Sequence, residues 1–393
     1  MHILESYALQ NDLKIDKPHL YEKFFPLAVE KYITIDTSGL GTNAMQYDHW
    51  QLVVDLIEPK LKELDIKIIQ MGEKDCKPLN KCYLTIGQCS FNQKAYVIKR
   101  SLVHISSNNE TSHIASAYNK KLITLFSHNC HTSQFNPYWS DKGRVKLIQE
   151  KVTGKPSFNP SENPKSINLI SPEKIATEIL AFSGIHTFVA EHNTLRVGSS
   201  FYQPRIESTL THLIDVRKLS VSSLIARMDL NFNEDNLAKQ LSCCPCSIIT
   251  NKAISPSLIN TYHKNIAEIV YYIQDDNDLE FVKNIKSKSI NFLLRTRKQG
   301  EEYDDIKLKY LDFSMVHQIG SKSQSDFKEL KDKNNLFYKS KYFIIHNNKF
   351  YPCTAAMLRD VQATDRMEHK PHEIIDDPLF WEDEEHFQFL RKK

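Results

Sequence analysis

The sequence predicts an α/β protein of two domains, each built on a mainly parallel sheet flanked by helices. Three observations carry this expectation. Short β-branched runs alternate with helically periodic segments over the first half, the alternation resumes over the second half, and an irregular connector separates the two. The length of 393 residues exceeds one average core, and the hydrophobic share of 41% and charged share of 25% argue against disorder or a membrane class.

In chain order, "KYITID" (31–36) is a strand and "HWQLVVDLIEPKLKELD" (49–65) has helical periodicity. "IKIIQMG" is a strand ending at Gly72, and "CYLTIG" is another. "SFNQKAYVIKRS" reads as helix, "LVHIS" as strand, "ETSHIASAYN" as helix and "KLITLFS" as strand. The connector "KVTGKPSFNPSENPKSINLI" (151–170) precedes a helix that Ser171 caps, with Pro172 at its first position. That helix closes a first domain at residues 1–185.

The second domain, 186–345, starts with hairpin-like strands in "HTFVAEHNTLRVGSSF". Strands "SLIARMDL", "CSIITN", "AEIVYYIQ" and "SINFLLRT" follow, separated by the helices "NEDNLAKQLSC", "SPSLINTYHKNI" and "DLEFVKNIKS". Right-handed βαβ units of this kind predict a second Rossmann-like sheet, with ligands at the carboxyl ends of the strands. Residues 346–393 form the end of a hairpin turning at Asn347-Asn348, and an acidic, aromatic tail that docks on the body.

A formal net charge of +3 makes no electrostatic argument for a nucleic-acid partner. The charges are uneven, however. Residues 283–298 hold six basic and no acidic side chains, whereas 374–384 is strongly acidic. The eight cysteines follow no framework, so free thiols in a cytoplasmic protein without a transmembrane segment are expected. "CCPC" (243–246) lacks the second pair that a structural zinc requires.

Chemistry in the first domain concentrates at strand ends. "DTSGLGTNA" places Thr37 and Ser38 as hydrogen-bond donors in a turn that Gly39 and Gly41 permit. "QMGEKD" sets Gly72 before Asp75, a carboxylate able to accept from ribose hydroxyls. In "HISSNNETSHIASAYN" a strand runs into Asn108, Asn109, Thr111, Ser112 and His113 as a helix opens, which suits a phosphate at the positive end of the helix dipole.

The segment 87–127 resembles the nucleotide-binding half of glycosyltransferase family nine, the heptosyltransferase-like enzymes of the GT-B fold. Gly87 and Ser90, the strand "SLVHI", His113-Ile-Ala-Ser-Ala and the strand "KKLITLFS" carry the resemblance, with "IKIIQMGEKD" and "MQYDHWQLVVDLI" upstream. It covers about residues 30–185. The resemblance implies two Rossmann-like domains facing a cleft, a nucleoside-diphosphate sugar as donor and no metal or other cofactor. The diphosphate would sit on the polar turn near His113, with Gly72, Asp75, Gly87 and Ser90 around the nucleotide.

Three departures qualify what it implies. Asn108-Asn109-Glu110 stands where the family has Asp-[Ser/Thr]-Gly, and Asp48 stands where it has a lysine. The family's acceptor domain comes first, so here 186–345 would be the acceptor half in reversed order and no catalytic base carries over.

Candidates in the second domain therefore rest on chemistry. Inverting sugar transfer needs a carboxylate to take the acceptor's proton and cations to stabilise the departing diphosphate. Asp229 and Glu207 are the catalytic candidates, and Arg205, Arg295, Arg297 and Lys298 the phosphate or acceptor contacts. Asp276-Asn277-Asp278 reads as a helix cap rather than a metal site. The expected function is hexosyl or heptosyl transfer to a glycan, lipid-linked sugar or nucleic acid. A non-catalytic sugar-nucleotide or glycan binder and an NDP-sugar epimerase are the alternatives.

Overall fold

The computed structural model describes residues 1–39, 41–151, 154–186, 190–219, 223–274, 279–331 and 334–393. The chain divides into two compact units, Met1–Thr194 and Leu195–Lys393, so the division falls at Thr194 rather than at 185.

The first unit carries β1 (Tyr32–Asp36), β2 (Lys67–Met71), β3 (Tyr83–Leu84), β4 (Val103–Ser107), β5 (Lys121–Phe126) and β6 (Val145–Gln149). All pair in parallel in the order β3-β2-β1-β4-β5-β6. The chain thus builds outward from β1, returns, and builds outward the other way, leaving a crevice at the carboxyl ends of β1 and β4. The helices are α1 (Ile3–Gln10), α2 (Trp50–Glu63), α3 (Phe91–Arg100), α4 (Glu110–Ala117), α5 (Thr132–Phe135) and α6 (Pro172–Phe182).

Alternation along β1 explains the layers. Ile33 and Ile35 join Val53, Ile57 and Ile179 from α2 and α6, while Tyr32 packs with Ile98 and Ile114 from α3 and α4. As expected, the Ser171 hydroxyl caps α6 with Pro172 in its first turn. Helix α1 and strand β6 were not anticipated, because their short runs show no clear period.

The second unit opens with β7 (His192–Val197), which runs across the division, then β8 (Arg205–Ser208), β9 (Ile225–Arg227), β10 (Cys246–Thr250), β11 (Ile266–Tyr272), β12 (Asn291–Thr296) and β13 (Val316–Gln318). The next strands are β14 (Leu336–Ser340), β15 (Tyr342–His346), β16 (Lys349–Tyr351), β17 (His372–Glu373) and β18 (Phe387–Lys392). Its helices are α7 (Glu234–Cys243), α8 (Pro256–Tyr262), α9 (Leu279–Ser287), α10 (Gly300–Tyr310), α11 (Thr354–Leu358) and α12 (Pro378–Glu382). Within the expected first hairpin of this domain, 187–189 lies outside the described residues, as does Asp276-Asn277-Asp278.

The larger sheet has the order β13-β12-β11-β10-β9-β8-β15-β16. From β8 to β13 each strand adds beside the last, and the chain then returns to set β15 in parallel on the other side of β8. Right-handed crossovers that always step the same way put α7 to α10 on one face. There Leu241, Ile259, Ile285 and Tyr310 meet Ala226, Ile248, Ile269 and Leu294.

The opposite face is covered over β8 and β15 by the sheet β17-β14-β18-β7 and by α11 and α12. The tail is therefore part of the second unit. Phe380, Phe387 and Phe389 are fully buried there, each worth roughly 1.5–3 kcal/mol of apolar burial.

Candidate active site

In the first unit Ser38, Asn109, Thr111 and Ser112 meet at the crevice in a closed polar network. Asp36 ends β1 fully buried, and its Oδ1 accepts from the Ser38 amide at 2.8 Å. The Thr111 hydroxyl lies 2.8 Å from Asp36 Oδ2, and His104 bridges Thr111 and Thr34 at 3.0 and 2.9 Å. Burial pushes the His104 imidazole down to about 3, so it stays neutral.

Asn109 is the N-cap of α4, and its Oδ1 accepts from the amides of Thr111 and Ser112 at 3.1 and 3.3 Å. The Asn109 amide group reaches Ser38 O at 3.2 Å. The amides expected to hold a diphosphate are thus already satisfied by the side chain of their own cap. This corrects the open phosphate turn. Glu110 does not repel an anion freely either: with Glu73 it holds the buried Lys94 ammonium, at 2.6 and 2.8 Å. Burial pulls the Lys94 pKa down, and its bonds to Glu110 and Glu73 outweigh this and raise it.

The remaining first-unit candidates have structural work. Ser90 caps α3 in a capping box with Gln93. Gly72 and Gly87 both have positive φ, at 153° and 64°, and the Gly87 amide bonds Gly72 O at 2.9 Å, closing the loop between β2 and α3. Thr37 accepts from Gln70 at 3.0 Å, and Asp75 stands exposed on that loop. His113 sits half-buried in α4, its pKa lowered first by burial and then by neighbouring His2. Asn108 alone among the turn residues keeps a buried oxygen, Oδ1, without a partner. Asp48 pairs with Lys165 at 2.7 Å.

In the second unit the outcome is different. All six candidates, Glu207, Asp229, Arg205, Arg295, Arg297 and Lys298, line one cavity of about 920 Å³. It lies on the sheet face opposite α7 to α10, at the carboxyl ends of β9 to β13. The period of two explains this: Leu294 faces the helices, so Leu293 and Arg295 face the cavity.

The two expected catalytic carboxylates are neutralised. Glu207 is fully buried; Arg205 Nε donates to its Oε1 at 2.7 Å, and Arg227 Nη1 and the Tyr342 hydroxyl donate to Oε2 at 2.6 and 2.7 Å. Burial pushes its pKa up, but the charges of Arg227 and Arg205 prevail and lower it. Glu207 is therefore an anchor for two guanidiniums rather than a base, which corrects its expected role. Asp229 meets Arg227 through both oxygens, each at 2.8 Å, with its side chain 12% exposed.

Arg295 has no ion-pair partner among the described residues, whereas Arg297 is held by Glu382 and Lys322 by Glu384 at 3.2 Å. The tail adds two groups that the sequence reading missed. Asp383 accepts from the Thr354 amide at 2.9 Å, and burial pushes its carboxyl up to about 6. His386 faces the same cavity with its pKa lowered first by burial and then by Arg205. A run of acidic residues in a tail carries no signal that one of them will be enclosed.

Among the described residues there is no cluster of three or more His, Cys, Asp and Glu able to hold a metal, and no helix long and apolar enough to cross a membrane.

No protein-family model and no curated protein sequence matches the chain. Solved structures do. ADP-heptose lps heptosyltransferase II of E. coli is 16% identical, with 45% of this chain and 50% of that chain covered at a TM-score of 0.32. The iron-containing dodecameric glycosyltransferase TibC of enterotoxigenic E. coli is 12% identical, with 42% and 48% covered and a TM-score of 0.32. A family 9 glycosyl transferase of Veillonella parvula is 12% identical, with 46% and 50% covered and a TM-score of 0.29. The chain spans about half the length of each.

Proposed function

We propose that this protein is a glycosyltransferase of the GT-B kind, moving a sugar from a nucleoside-diphosphate sugar to a hydroxyl of a glycan, lipid-linked sugar or nucleic acid. The transfer is inverting, uses no resident metal and takes place in the cytoplasm. The observation that carries this reading is the second unit's cavity, where an unpaired Arg295 stands with Lys298, Lys322 and buried carboxylates. Cations aimed at one enclosed volume stabilise a departing diphosphate, and a carboxylate beside them serves the attacking hydroxyl. We assign the diphosphate to this cavity and not to the first unit's turn, because Asn109 occupies the turn's amides.

That same cap favours a second reading, a non-catalytic sugar-nucleotide binder. A thermal-shift panel of UDP, GDP, ADP and CMP sugars, with mass detection of products, separates the two. Selective stabilisation by one series, weakened at least about tenfold in affinity by Arg295→Ala, together with sugar transfer, supports the enzyme. Binding without turnover supports the second reading, and no stabilisation by any series overturns both.

A further inference from the structure

We propose that Asp383, in the acidic turn between α12 and β18, takes the proton from the attacking hydroxyl. The inference rests on the glycosyltransferase reading and adds the base that neither the sequence motif nor the paired carboxylates supply.

The other carboxylates of this cavity are engaged or exposed. Glu207 spends both oxygens on Arg205, Arg227 and Tyr342 and has no exposed surface. Asp229 spends both on Arg227, and Glu382 both on Arg297, while Glu385 stands exposed at the rim with Lys322 3.8 Å away. Asp383 differs: its hydrogen bonds come from the neutral Thr354, no ion pair engages it among the described residues, and it lines the cavity.

Its position is built. Asp377 caps α12 through the Leu379 amide, Phe380 and Trp381 anchor the helix in the aromatic core, and Phe387 and Phe389 anchor the strand that follows. Gly198 lets the intervening backbone come close: a Cβ there would collide with the carbonyls of Glu384 and Glu385.

The groups facing Asp383 are Glu207 and Arg205 from β8, Arg227 from β9, Tyr338 and Tyr342 from β14 and β15, and Cys353 before α11. Burial pushes both tyrosines and the thiol up, so they stay neutral, and Glu207 stays ionised between its two guanidiniums. A carboxyl titrating at about 6 in this company is ionised at neutral pH and basic enough to accept a proton.

The step balances. As the hydroxyl oxygen bonds to the sugar's anomeric carbon, its proton passes to Asp383. The bond from that carbon to the diphosphate oxygen breaks, and its electron pair leaves on the nucleoside diphosphate beside Arg295. Asp383 then returns the proton to water.

Water itself serves as the test acceptor, so no acceptor need be known. Release of nucleoside diphosphate from the UDP-, GDP- and ADP-sugar panel is followed for the full-length wild type, Asp383→Asn and Asp383→Glu from pH 5 to 8. Donor binding is followed in parallel by thermal shift.

The expected result is a wild-type rate that falls below about pH 6, and at least about a hundredfold loss in Asp383→Asn with donor binding retained. The residual rate should lose its acid limb, and the glutamate should restore part of the rate. If Asp383→Asn releases diphosphate at the wild-type rate, or keeps the acid limb, Asp383 is not the base and a group such as His386 titrates instead, while the transferase reading stands. If the wild type binds donors but releases no diphosphate to water or to any added glycan acceptor, the transferase reading falls and the base assignment with it. Should the asparagine variant fail to fold, Asp383→Ser decides in its place: a wild-type rate and acid limb there, with no carboxylate at this position, overturn the assignment.

Discussion

Glu207 and Asp383 are carboxylates in one cavity with opposite physics, and each makes a measurable prediction. Glu207→Gln keeps the shape but leaves the half-buried Arg205 without its carboxylate and Arg227 with Asp229 alone, and removing the shared anion of such a set costs up to about 3–5 kcal/mol. Urea unfolding at pH 7 should show that loss. Its lowered pKa gives stability that is present at neutral pH and lost as pH falls below the carboxylate range.

Asp383 has the reverse sign. Its carboxyl sits at about 6 against an ordinary 3.8, so folding favours the protonated form and stability declines as pH rises through that window. Asp383→Asn should therefore raise stability at pH 8 by about 3 kcal/mol, at about 1.4 kcal/mol per pK unit, and by little at pH 4. A difference independent of pH would show that the carboxyl is not perturbed. The sequence reading found the Arg205, Glu207 and Asp229 set because charged residues at strand ends stand out. It misassigned Glu207 because the pairing with Arg227 depends on which strands become neighbours.

Among elements, the strands of both units were legible wherever β-branched residues cluster, as in "YITID" and "CSIIT". Strand order in the second unit was not, because an alternation of strands and helices does not say at which strand the chain turns back, here at β8 with β15 on its other side. The tail was legible as a docking segment from its aromatics, but its chemistry was not.

The element that places that chemistry is the turn after α12, and Gly198 is its contact. The amide of Gly198 bonds Phe387 O at 2.8 Å and that of Ser200 bonds Glu385 O at 2.8 Å, so the two backbones lie side by side. Gly198→Ala pushes a methyl into backbone that has no room to yield, at a cost of about 1–3 kcal/mol. Turnover should fall with stability, because Asp383 moves with the turn. An alanine variant with unchanged melting temperature and activity would show that the turn tolerates displacement.

Over the whole molecule, the two units present different groups. The first has the strand order that places ligands at the crevice of β1 and β4, yet its side chains there bond to one another through Asp36, Asn109 and Thr111. The second has the cavity, the perturbed carboxyl and, among the described residues, a guanidinium without an ion-pair partner, that of Arg295. Hydrogen exchange on the full chain reads both at once. With a stabilising nucleotide sugar bound, peptides covering 227–231, 293–298 and 381–386 should exchange more slowly, while 106–113 should change little. Protection concentrated at 106–113 would instead mean that the ligand displaces the Asn109 side chain and takes the α4 amides, returning the diphosphate to the first unit. Because the cavity's attraction is carried by exposed and half-buried cations, the protection at 293–298 should also weaken as salt rises from about 0.05 to 0.5 M. Protection that ignores salt would point to a neutral part of the ligand in that cavity rather than its diphosphate.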